Sequence, residues 1–283
     1  MAEAKLASGD AAVAGVTHYD LPTLDKIPVI RRLMGPTGDG LALDIGIGTG
    51  YTTSQVFGDT PTVCLDLHAP NLRYYQKQRE AAHQPASPLC IVAPATSLPL
   101  KDGSVRYVLC SEVLEHLEDD ETAVAEIARV LSDDGRAVIT VPYTGIGFTS
   151  FLERFHIKTV HDFPGPEFHV RPGYDEKTLA ALFARHGLEL DAHDFYLRFF
   201  TRLVVDGVSL SHIAYQRIRH GRRSWTWSDA TEVEGSLPFR IYTLLFPLMR
   251  GIARADALLG KARGFGIVAR ARKRPPTPKR AGH

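Results

Sequence analysis

The chain has few of the residues that mark specialised classes of protein. Its 283 residues include three cysteines, three methionines and two tryptophans. Cys64, Cys90 and Cys110 each fall in an apolar run without metal-like spacing, which predicts reduced, buried thiols and excludes a disulfide scaffold. No stretch approaches the ~20 apolar residues of a membrane span. The N-terminus has early acids and no apolar core, so a cytoplasmic protein is expected.

Acidic residues are missing from the C-terminal end. No Asp or Glu follows Asp256, whereas eight Lys and Arg do, so the formal net charge of +1 hides an excess of acids before that point. The near balance argues against a basic surface throughout, and no nucleic-acid partner is expected. The prolines at 275, 276 and 278 predict a basic, disordered tail over 271–283. Such a tail either contacts an anionic membrane or is a solvated end without a role.

Short apolar runs alternate with helical patterns along most of the chain. Helices are predicted at Thr23–Met34, Tyr51–Phe57, Asp119–Leu131 and Lys177–His186. Strands are predicted at Leu41–Ile45, Thr62–Leu67, Leu89–Ala93, Val105–Cys110, Arg136–Val141, Leu188–Phe195 and Gly266–Arg270. This alternation indicates an α/β fold with βαβ units and a parallel sheet.

The alternation of strand and helix patterns predicts one domain over residues 23–270, after a flexible N-terminus at 1–22. Residues 195–265 interrupt the alternation and are predicted to form a helical insertion, or lid, that covers one end of the sheet before the last strand. The insertion contains the apolar run Ile241–Met249, bounded by Arg240 and Arg250. That run is either a buried helix kinked at Pro247 or an interfacial helix that lies on a membrane.

A glycine-rich turn follows the first predicted strand, in the sequence Leu43-Asp44-Ile45-Gly46-Ile47-Gly48-Thr49-Gly50. Glycines let the backbone approach a ligand closely, as in dinucleotide folds, where the spacing is G-x-G-x-x-G. The spacing here is G-x-G-x-G, and Asp44 before the first glycine would repel a pyrophosphate. The pattern favours a ligand with a nearby positive group, such as the ammonium of an amino acid.

A second acid, Asp66, ends the next predicted strand, 22 residues after Asp44. An acid at the tip of the second strand is where dinucleotide folds bind a ribose diol. The two carboxylates would bracket a ligand with an amine at one end and a nucleoside at the other. S-adenosylmethionine has both groups and no phosphate. The alternative is that each Asp only caps the end of its strand.

From Leu41 to about Leu190 the sequence resembles the class I S-adenosylmethionine-dependent methyltransferases, particularly the small-molecule branch with the ubiquinone-type O-methyltransferases. The matching segments are LALDIGIGTG, VCLDLH, TSLPLKDGSVRYVLCSEVLEHLED, RVLSDDGRAVITVPY and FHVRPGYDEKTLAALFARHGLEL, in the family's order. The resemblance implies a Rossmann-like, mostly parallel sheet of seven strands with a reversed final hairpin. It also implies S-adenosylmethionine as the methyl donor.

The resemblance also implies positions for the donor. The methionine part would lie along Asp44, Gly46, Gly48 and Gly50, with the ribose on Asp66, the adenine beside Leu67, Ala95 and Thr96, and the sulfonium near Ser111. Two departures from the family pattern stand out. Pro94 occupies the slot where an acid often accepts the adenine amino group, which leaves adenine recognition to backbone groups or Thr96. Arg106-Tyr107 replaces the common F-D dipeptide before strand four.

The acceptor side is predicted at Ser111-Glu112-Val113-Leu114-Glu115-His116, because bases must lie beyond the carboxyl end of strand four. On a helical turn Glu112, Glu115 and His116 would share a face. Some relatives use E-x-x-E-H with a later histidine to hold a divalent metal. The metal set would then be Glu112, Glu115, His116 and His169, with His161 or His156 as substitutes for the last, and Mg²⁺, Mn²⁺ or Zn²⁺ as the ion.

Two alternatives to a metal remain open at this segment. Either Glu112 only holds a backbone turn and His116 is a packed, neutral spacer, or the histidines His116 and His169 act as general bases without a metal. For the whole protein, the first hypothesis is methylation of a hydroxyl on a small, hydrophobic or lipid-like acceptor. In this hypothesis the protein also contacts the membrane peripherally. The alternatives are N- or C-methylation of a polar metabolite, and a non-catalytic binding protein with a cofactor fold.

Overall fold

The computed structural model describes residues 20–81, 88–145, 169–220, 237–260 and 262–274. Several predictions fall on residues outside these ranges. They are the N-terminal segment up to residue 19, the substitute histidines His156 and His161, and the tail from residue 275 onwards. Within the described part, the predicted alternation of strands and helices is confirmed.

Seven strands form one sheet. They are β1 (Ala42–Ile45), β2 (Thr62–Asp66), β3 (Leu89–Val92), β4 (Val105–Ser111), β5 (Leu131–Pro142), β6 (Leu188–Tyr196) and β7 (Gly266–Lys273). Their order is β3-β2-β1-β4-β5-β7-β6, and only β7 runs antiparallel to its neighbours. The predicted mostly parallel, Rossmann-like sheet with a reversed final hairpin is confirmed.

Helices connect and cover the strands. They are α1 (Leu21–Met34), α2 (Tyr51–Phe57), α3 (Ala69–Ala81), α4 (Asp120–Val130), α5 (Glu176–Arg185), α6 (Phe199–His220) and α7 (Leu237–Ala253). A 3₁₀ turn spans Leu114–His116, and another spans Arg254–Leu259. The first helix begins at Leu21, two residues before its predicted start, because Pro22 fits the first turn of a helix, where its missing N–H costs nothing.

Side chains of the strands alternate between two cores, one on each face of the sheet. In β4, Val108 and Cys110 belong to the core beneath α4 and α5, whereas Tyr107 and Leu109 belong to the core beneath α1 and α2. This alternation follows from the period of two in a strand. Because both faces are covered, β1 is buried along its whole length, which explains why its residues other than Asp44 are apolar.

Local capping signals fix the ends of α4 and α5. Asp119 accepts a hydrogen bond from the Thr122 N–H at 2.9 Å, and Asp175 accepts one from Thr178 at 2.7 Å. A side-chain acceptor at this position satisfies an N–H that has no partner within the helix. Asp175 therefore caps α5, which begins directly after it.

The prediction for the C-terminal end was partly wrong. Strand β7 continues through Lys273, so residues 271–273 belong to the sheet and not to a disordered tail. An acid also lies beside the charges of this strand: Arg270 and Arg272 share the carboxylate of Asp191, at 2.8 and 3.0 Å. Basic residues near the C-terminal end thus form ion pairs with an acid from the earlier, acid-rich part of the chain. The sequence could not show this because the partners are 79 and more residues apart.

The insertion between β6 and β7 contains α6, α7 and the second 3₁₀ turn. The inner side of α7, with Tyr242, Phe246 and Met249, packs on Leu21 and Leu24 of α1 and on the neighbouring side of α6. The insertion is helical, as predicted, and its described part rests on the first helix. A cover over one end of the sheet stays a prediction. Among the described residues, no helix combines the length and the apolar character needed to cross a bilayer.

Candidate functional site

The strand order changes direction beside β1, which is flanked by β2 on one side and β4 on the other. In a sheet of this kind, ligands bind in the crevice outside the carboxyl ends of the strands at such a switch point. The turns that follow β1, β2, β3 and β4 meet at this edge. These turns, together with the last residues of the strands before them, contain all of the residues predicted to contact the methyl donor.

The glycine turn packs tightly against two neighbouring elements. A Cβ added to Gly46 would lie 2.4 Å from Cγ2 of Val113, in the turn after β4, and one added to Gly50 would lie 2.0 Å from the Tyr75 ring on α3. A Cβ on Gly48 would meet nothing within 4 Å. Two glycines therefore serve close packing, whereas the third faces open space at the edge where a ligand would lie.

Replacing Gly50 by alanine is expected to destabilise the fold more than replacing Gly48. Both glycines have positive φ, 74° and 54°, so both variants carry a similar backbone strain. Only the Gly50 variant also drives a methyl group into Tyr75, which adds about 1–3 kcal/mol of overpacking. Thermal unfolding of the two variants measures the difference. Equal melting temperatures would contradict the packing role assigned to Gly50.

Asp66 connects the end of β2 to the glycine turn. Its carboxylate accepts hydrogen bonds from the Gly48 N–H at 3.1 Å, the His68 N–H at 2.7 Å and the Asn71 side-chain amide at 3.2 Å. Three donors leave part of the acceptor capacity of a carboxylate unused. Asp66 can therefore hold the turn in place and still accept a hydroxyl from a ligand at this edge.

Asp44 is buried at the end of β1, where the Thr53 hydroxyl donates to it from the first turn of α2. Burial raises the pKa of Asp44 to about 7, and the nearby charge of Asp66 adds to this rise. The Thr53 hydrogen bond and the charge of Lys26 act in the opposite direction. A cationic ligand group beside a buried carboxyl with a pKa near 7 would strongly stabilise its ionised form.

The other residues predicted to contact the methyl donor differ in the exposure and packing of their side chains. Leu67, directly after Asp66, is 67% exposed, so its side chain is accessible to an adenine ring. Ala95 packs its methyl group into the core, so only its backbone could meet a ligand, and Thr96 is half-buried. Ser111 shares a hydrogen bond with Thr140 on β5 at 2.9 Å. Their roles toward a donor stay predictions.

Glu112 does not share a helical face with Glu115 and His116, and this prediction was wrong. Its φ is 57°, in the left-handed region, so the chain turns sharply at the end of β4. The carboxylate accepts from Thr140 at 2.6 Å and from the Tyr196 hydroxyl at 2.7 Å. These contacts hold a strained residue in place, as is common at functional sites.

Lys26 also reaches this edge and was not predicted. Its ammonium, on α1, lies 3.9 Å from the Glu112 carboxylate. The charge of Lys26 and the two hydroxyl donors outweigh the effect of burial, so the pKa of Glu112 is lowered. No local signal marks Lys26 or Tyr196, because α1 and the end of β6 meet β4 only in the folded chain.

Glu115, His116 and His169 come together as a second group. Their potential ligand atoms all lie within 4.8 Å of one another, and the His116 and His169 rings meet edge to face at 4.7 Å. Glu115 is fully buried, and neither carboxyl oxygen has a hydrogen-bond partner among the described residues. Burial, followed by the charge of Glu112, raises the pKa of Glu115 to about 9. Glu112, the fourth predicted ligand, lies outside this group.

The segment from His169 to Tyr174 holds this group in place. The Val170 N–H donates to the Glu115 carbonyl at 2.9 Å, and Arg171 donates to the Leu117 carbonyl at 2.6 Å. Arg171 and Tyr174 both contact the carboxylate of Asp120 at the start of α4. These contacts run between segments more than 50 residues apart, and they place His169 beside His116.

Comparisons with known proteins agree with this arrangement. Residues 43–139, from β1 to β5, match the family model described as a methyltransferase domain. An O-methyltransferase of Aspergillus nomiae is 30% identical over 44% of this chain and 57% of its own length. A ubiquinone/menaquinone biosynthesis C-methyltransferase of Citrifermentans bemidjiense is 22% identical over 67% of this chain and 76% of its own. The chain thus spans little more than half of the first relative.

A solved structure extends the likeness of the fold beyond the matched residues. A phosphoethanolamine N-methyltransferase of Haemonchus contortus, in complex with S-adenosyl-L-methionine, is superposable with a TM-score of 0.54. The match covers 88% of this chain and 52% of that one, at 17% sequence identity. The likeness of the fold therefore extends over more of the chain than residues 43–139, which the family model matches.

Proposed function

Because the chain belongs to the class I S-adenosylmethionine-dependent methyltransferases, we propose that it methylates a hydroxyl group of a small, hydrophobic or lipid-like acceptor. The main observation behind the proposal is the close packing of Gly46 against Val113, which leaves no room for a Cβ at Gly46. This contact joins the turn that would hold the donor to the turn that contains Glu112, Glu115 and His116. A donor and an acceptor bound at these two turns would therefore be neighbours.

The residues present fit S-adenosylmethionine, which supplies an electrophilic methyl carbon on a cationic sulfonium. Asp44 and Asp66 present carboxyl groups to its ammonium and its ribose hydroxyls. Gly48 leaves open space beside Asp66, as a close approach of the ligand requires. Leu67 offers an apolar surface for the adenine. Together these residues orient the donor, and orientation is the main contribution of the protein to a displacement of this kind.

The pair His116 and His169 is proposed to remove the acceptor proton. The acceptor oxygen forms a bond to the methyl carbon, the bond from that carbon to sulfur breaks, and S-adenosylhomocysteine leaves. The hydroxyl proton passes to an imidazole nitrogen, as in general base catalysis by histidine. His169 is exposed and His116 is half-buried, so the pair can be reached by an acceptor. Glu112 is proposed to remain ionised and to favour the cationic donor.

A second candidate for the acceptor side is a divalent metal held by Glu115, His116 and His169. The observation that favours it is the buried Glu115 carboxyl, whose two oxygens have no hydrogen-bond partner among the described residues. One carboxylate and two imidazoles are suitable ligands for Zn²⁺ or Mn²⁺. A bound ion would polarise the acceptor hydroxyl. Glu112 is left out of this set because it contacts Thr140 and Tyr196 instead.

Metal titration separates these candidates. With purified protein stripped by chelator, we expect activity on the identified acceptor to persist if histidine alone removes the proton. Restoration of activity by Zn²⁺, Mn²⁺ or Mg²⁺ would favour the metal. Glu115→Gln is the sharper variant, because it retains the size of the side chain. It should abolish metal binding, measured by calorimetry, and leave a metal-free reaction within threefold of the parent.

The activity itself is tested with S-adenosylmethionine labelled on its methyl group. Incubation with a lipid extract and, separately, with a polar metabolite extract is expected to label a product in the lipid fraction. Mass spectrometry is then expected to identify a methyl ether. Label only in polar products would favour the alternative of N- or C-methylation, and a new carbon–methyl bond would overturn the assignment of the hydroxyl. A lipid-like acceptor also implies a peripheral position at the membrane.

A further inference from the structure

Helix α7 presents a stripe of aliphatic side chains to solvent. Its exposed members are Ile241, Leu244, Leu245, Leu248 and Ile252. Leu244 and Leu248 are 78% and 64% exposed. Their spacing of three and four residues places all of them on one face of the helix. We refer to these five side chains as the aliphatic face of α7.

The aliphatic face is distinct from the side that α7 uses for packing. Tyr242, Phe246 and Met249, which lie between its members in the sequence, contact α1 and α6. In the 3₁₀ turn that follows, Leu258 is also 85% exposed. A contiguous exposed patch of this kind marks an interaction surface, because single exposed leucines are ordinary but grouped ones are not.

The charges around the aliphatic face are of one sign. Residues 237–255 contain Arg240, Arg250 and Arg254 and no acid. All three arginines are exposed, and none forms an ion pair with another described residue. The next acid, Asp256, is buried and accepts hydrogen bonds from the N–H groups of Phe200 and Thr201. It caps the start of α6 and does not offset the arginines at the surface.

The arginines of α7 differ from the basic residues of β7. Arg270 and Arg272 are paired with Asp191, and Lys273 lies 3.3 Å from Asp133. The cations of β7 therefore have acids beside them, whereas residues 237–255 contain arginines and no acid. A helix that combines an exposed apolar face with charges of positive sign only has the composition of helices that lie in the interface of an anionic membrane.

We propose that α7 docks this protein on an anionic lipid surface. The aliphatic face would enter the boundary between headgroups and acyl chains, with Arg240, one turn before Leu244, beside the lipid phosphates. Arg250 and Arg254 would add longer-range attraction to the anionic surface. A second copy of the chain fits less well, because α7 offers no acid to pair with the arginines of a symmetric partner. Lipid phosphates supply that missing negative charge.

The docked helix is connected to the candidate site through α1. The inner side of α7 packs on Leu21 and Leu24, and Lys26 on the same helix lies 3.9 Å from Glu112. Docking would therefore act on a helix that contacts both the docked element and the site. The docking proposal itself does not depend on methyl transfer, because lipid binding needs neither a donor nor an acceptor.

Vesicle flotation with the full chain tests the proposal. The vesicles contain phosphatidylcholine alone or mixed with phosphatidylglycerol, and no S-adenosylmethionine is added. We expect binding to the mixed vesicles and a loss of at least tenfold in the partition coefficient of the double variant Leu244→Gln, Leu248→Gln. Leu89→Gln is the matched control, because Leu89 is 59% exposed on β3, away from α7, and should bind as the parent does.

Charge variants distinguish docking on lipid from other contacts. Arg240→Gln with Arg250→Gln is expected to weaken binding to mixed vesicles by about fivefold for each arginine and to leave the residual binding to phosphatidylcholine unchanged. Sedimentation equilibrium should show the same mass for the parent and the leucine variant. The proposal would be overturned if the parent failed to float with mixed vesicles or if the leucine variant bound them equally well. It would also be overturned if the parent were a dimer and the leucine variant a monomer.

Discussion

Replacement of Asp66 by alanine is expected to weaken the binding of S-adenosylmethionine about 100-fold. Two losses contribute. Hydrogen bonds from the ribose hydroxyls to a carboxylate are worth ~1.5–3 kcal/mol each, and ~1.4 kcal/mol changes affinity tenfold. The Gly48 N–H also loses its acceptor, at 3.1 Å in the parent, so the turn would be held less firmly. Isothermal titration with the donor, or with S-adenosylhomocysteine, measures the change.

Controls separate recognition by Asp66 from a general loss of stability. Asp66→Asn retains the shape of the side chain and one acceptor oxygen, so a weaker effect of about tenfold is expected. Asp39→Ala removes an exposed acid in the turn before β1 and should leave affinity unchanged. The melting temperature of each variant shows whether it is folded. A folded Asp66→Ala that binds the donor within threefold of the parent would refute the ribose assignment.

The second large effect is a dependence of donor affinity on pH through Asp44. Burial raises the pKa of this carboxyl to about 7, against an unfolded value near 3.8. Below pH 7 the carboxyl is protonated, and a cationic ligand must displace that proton in order to bind the charged form. Affinity should therefore fall by up to tenfold for each pH unit between 7 and 5.5, where the donor's own ammonium stays charged.

The thiols and the phenol nearest to Asp44 do not titrate in this window. The pKa values of Cys64 and Cys110 are raised by neighbouring groups or burial, and burial raises that of Tyr75 to about 12. All three remain neutral below pH 8. Lys26 and Asp66 face the same region, but no change in their charge is needed for the effect. Calorimetry in buffers of different ionisation enthalpy should thus record about one proton released per donor bound near pH 6.

Asp44→Asn checks the assignment and its sign. Because the pKa of Asp44 is higher in the folded chain than in the unfolded one, ionisation of this group reduces the free energy of unfolding as pH rises toward 7. The asparagine variant should lack that loss and melt at a higher temperature than the parent at pH 8. Its donor affinity should be at least tenfold weaker at pH 7.5 and nearly flat with pH. An unchanged pH profile would show that another group is responsible.

The local parts of this molecule could be predicted from the sequence. Asp175 before α5 and the glycines after β1 act through atoms within a few residues, so their sequence pattern determines their conformation. The strand ends that contain Asp44 and Asp66 also followed from the pattern, because parallel strands bring their carboxyl ends to one edge. The fold class and the residues around the donor therefore needed no structure to be proposed.

Only the tertiary structure decided the groups that depend on distant partners. A positive φ takes Glu112 out of the helical turn that contains Glu115, and its partners Lys26 and Tyr196 come from α1 and β6. The same holds at the surface, where two arginines of β7 share the carboxylate of Asp191 and exposure identifies the outer side of α7. Charge and burial depend on which segments meet in space, and a pattern of neighbours along the chain does not contain that information.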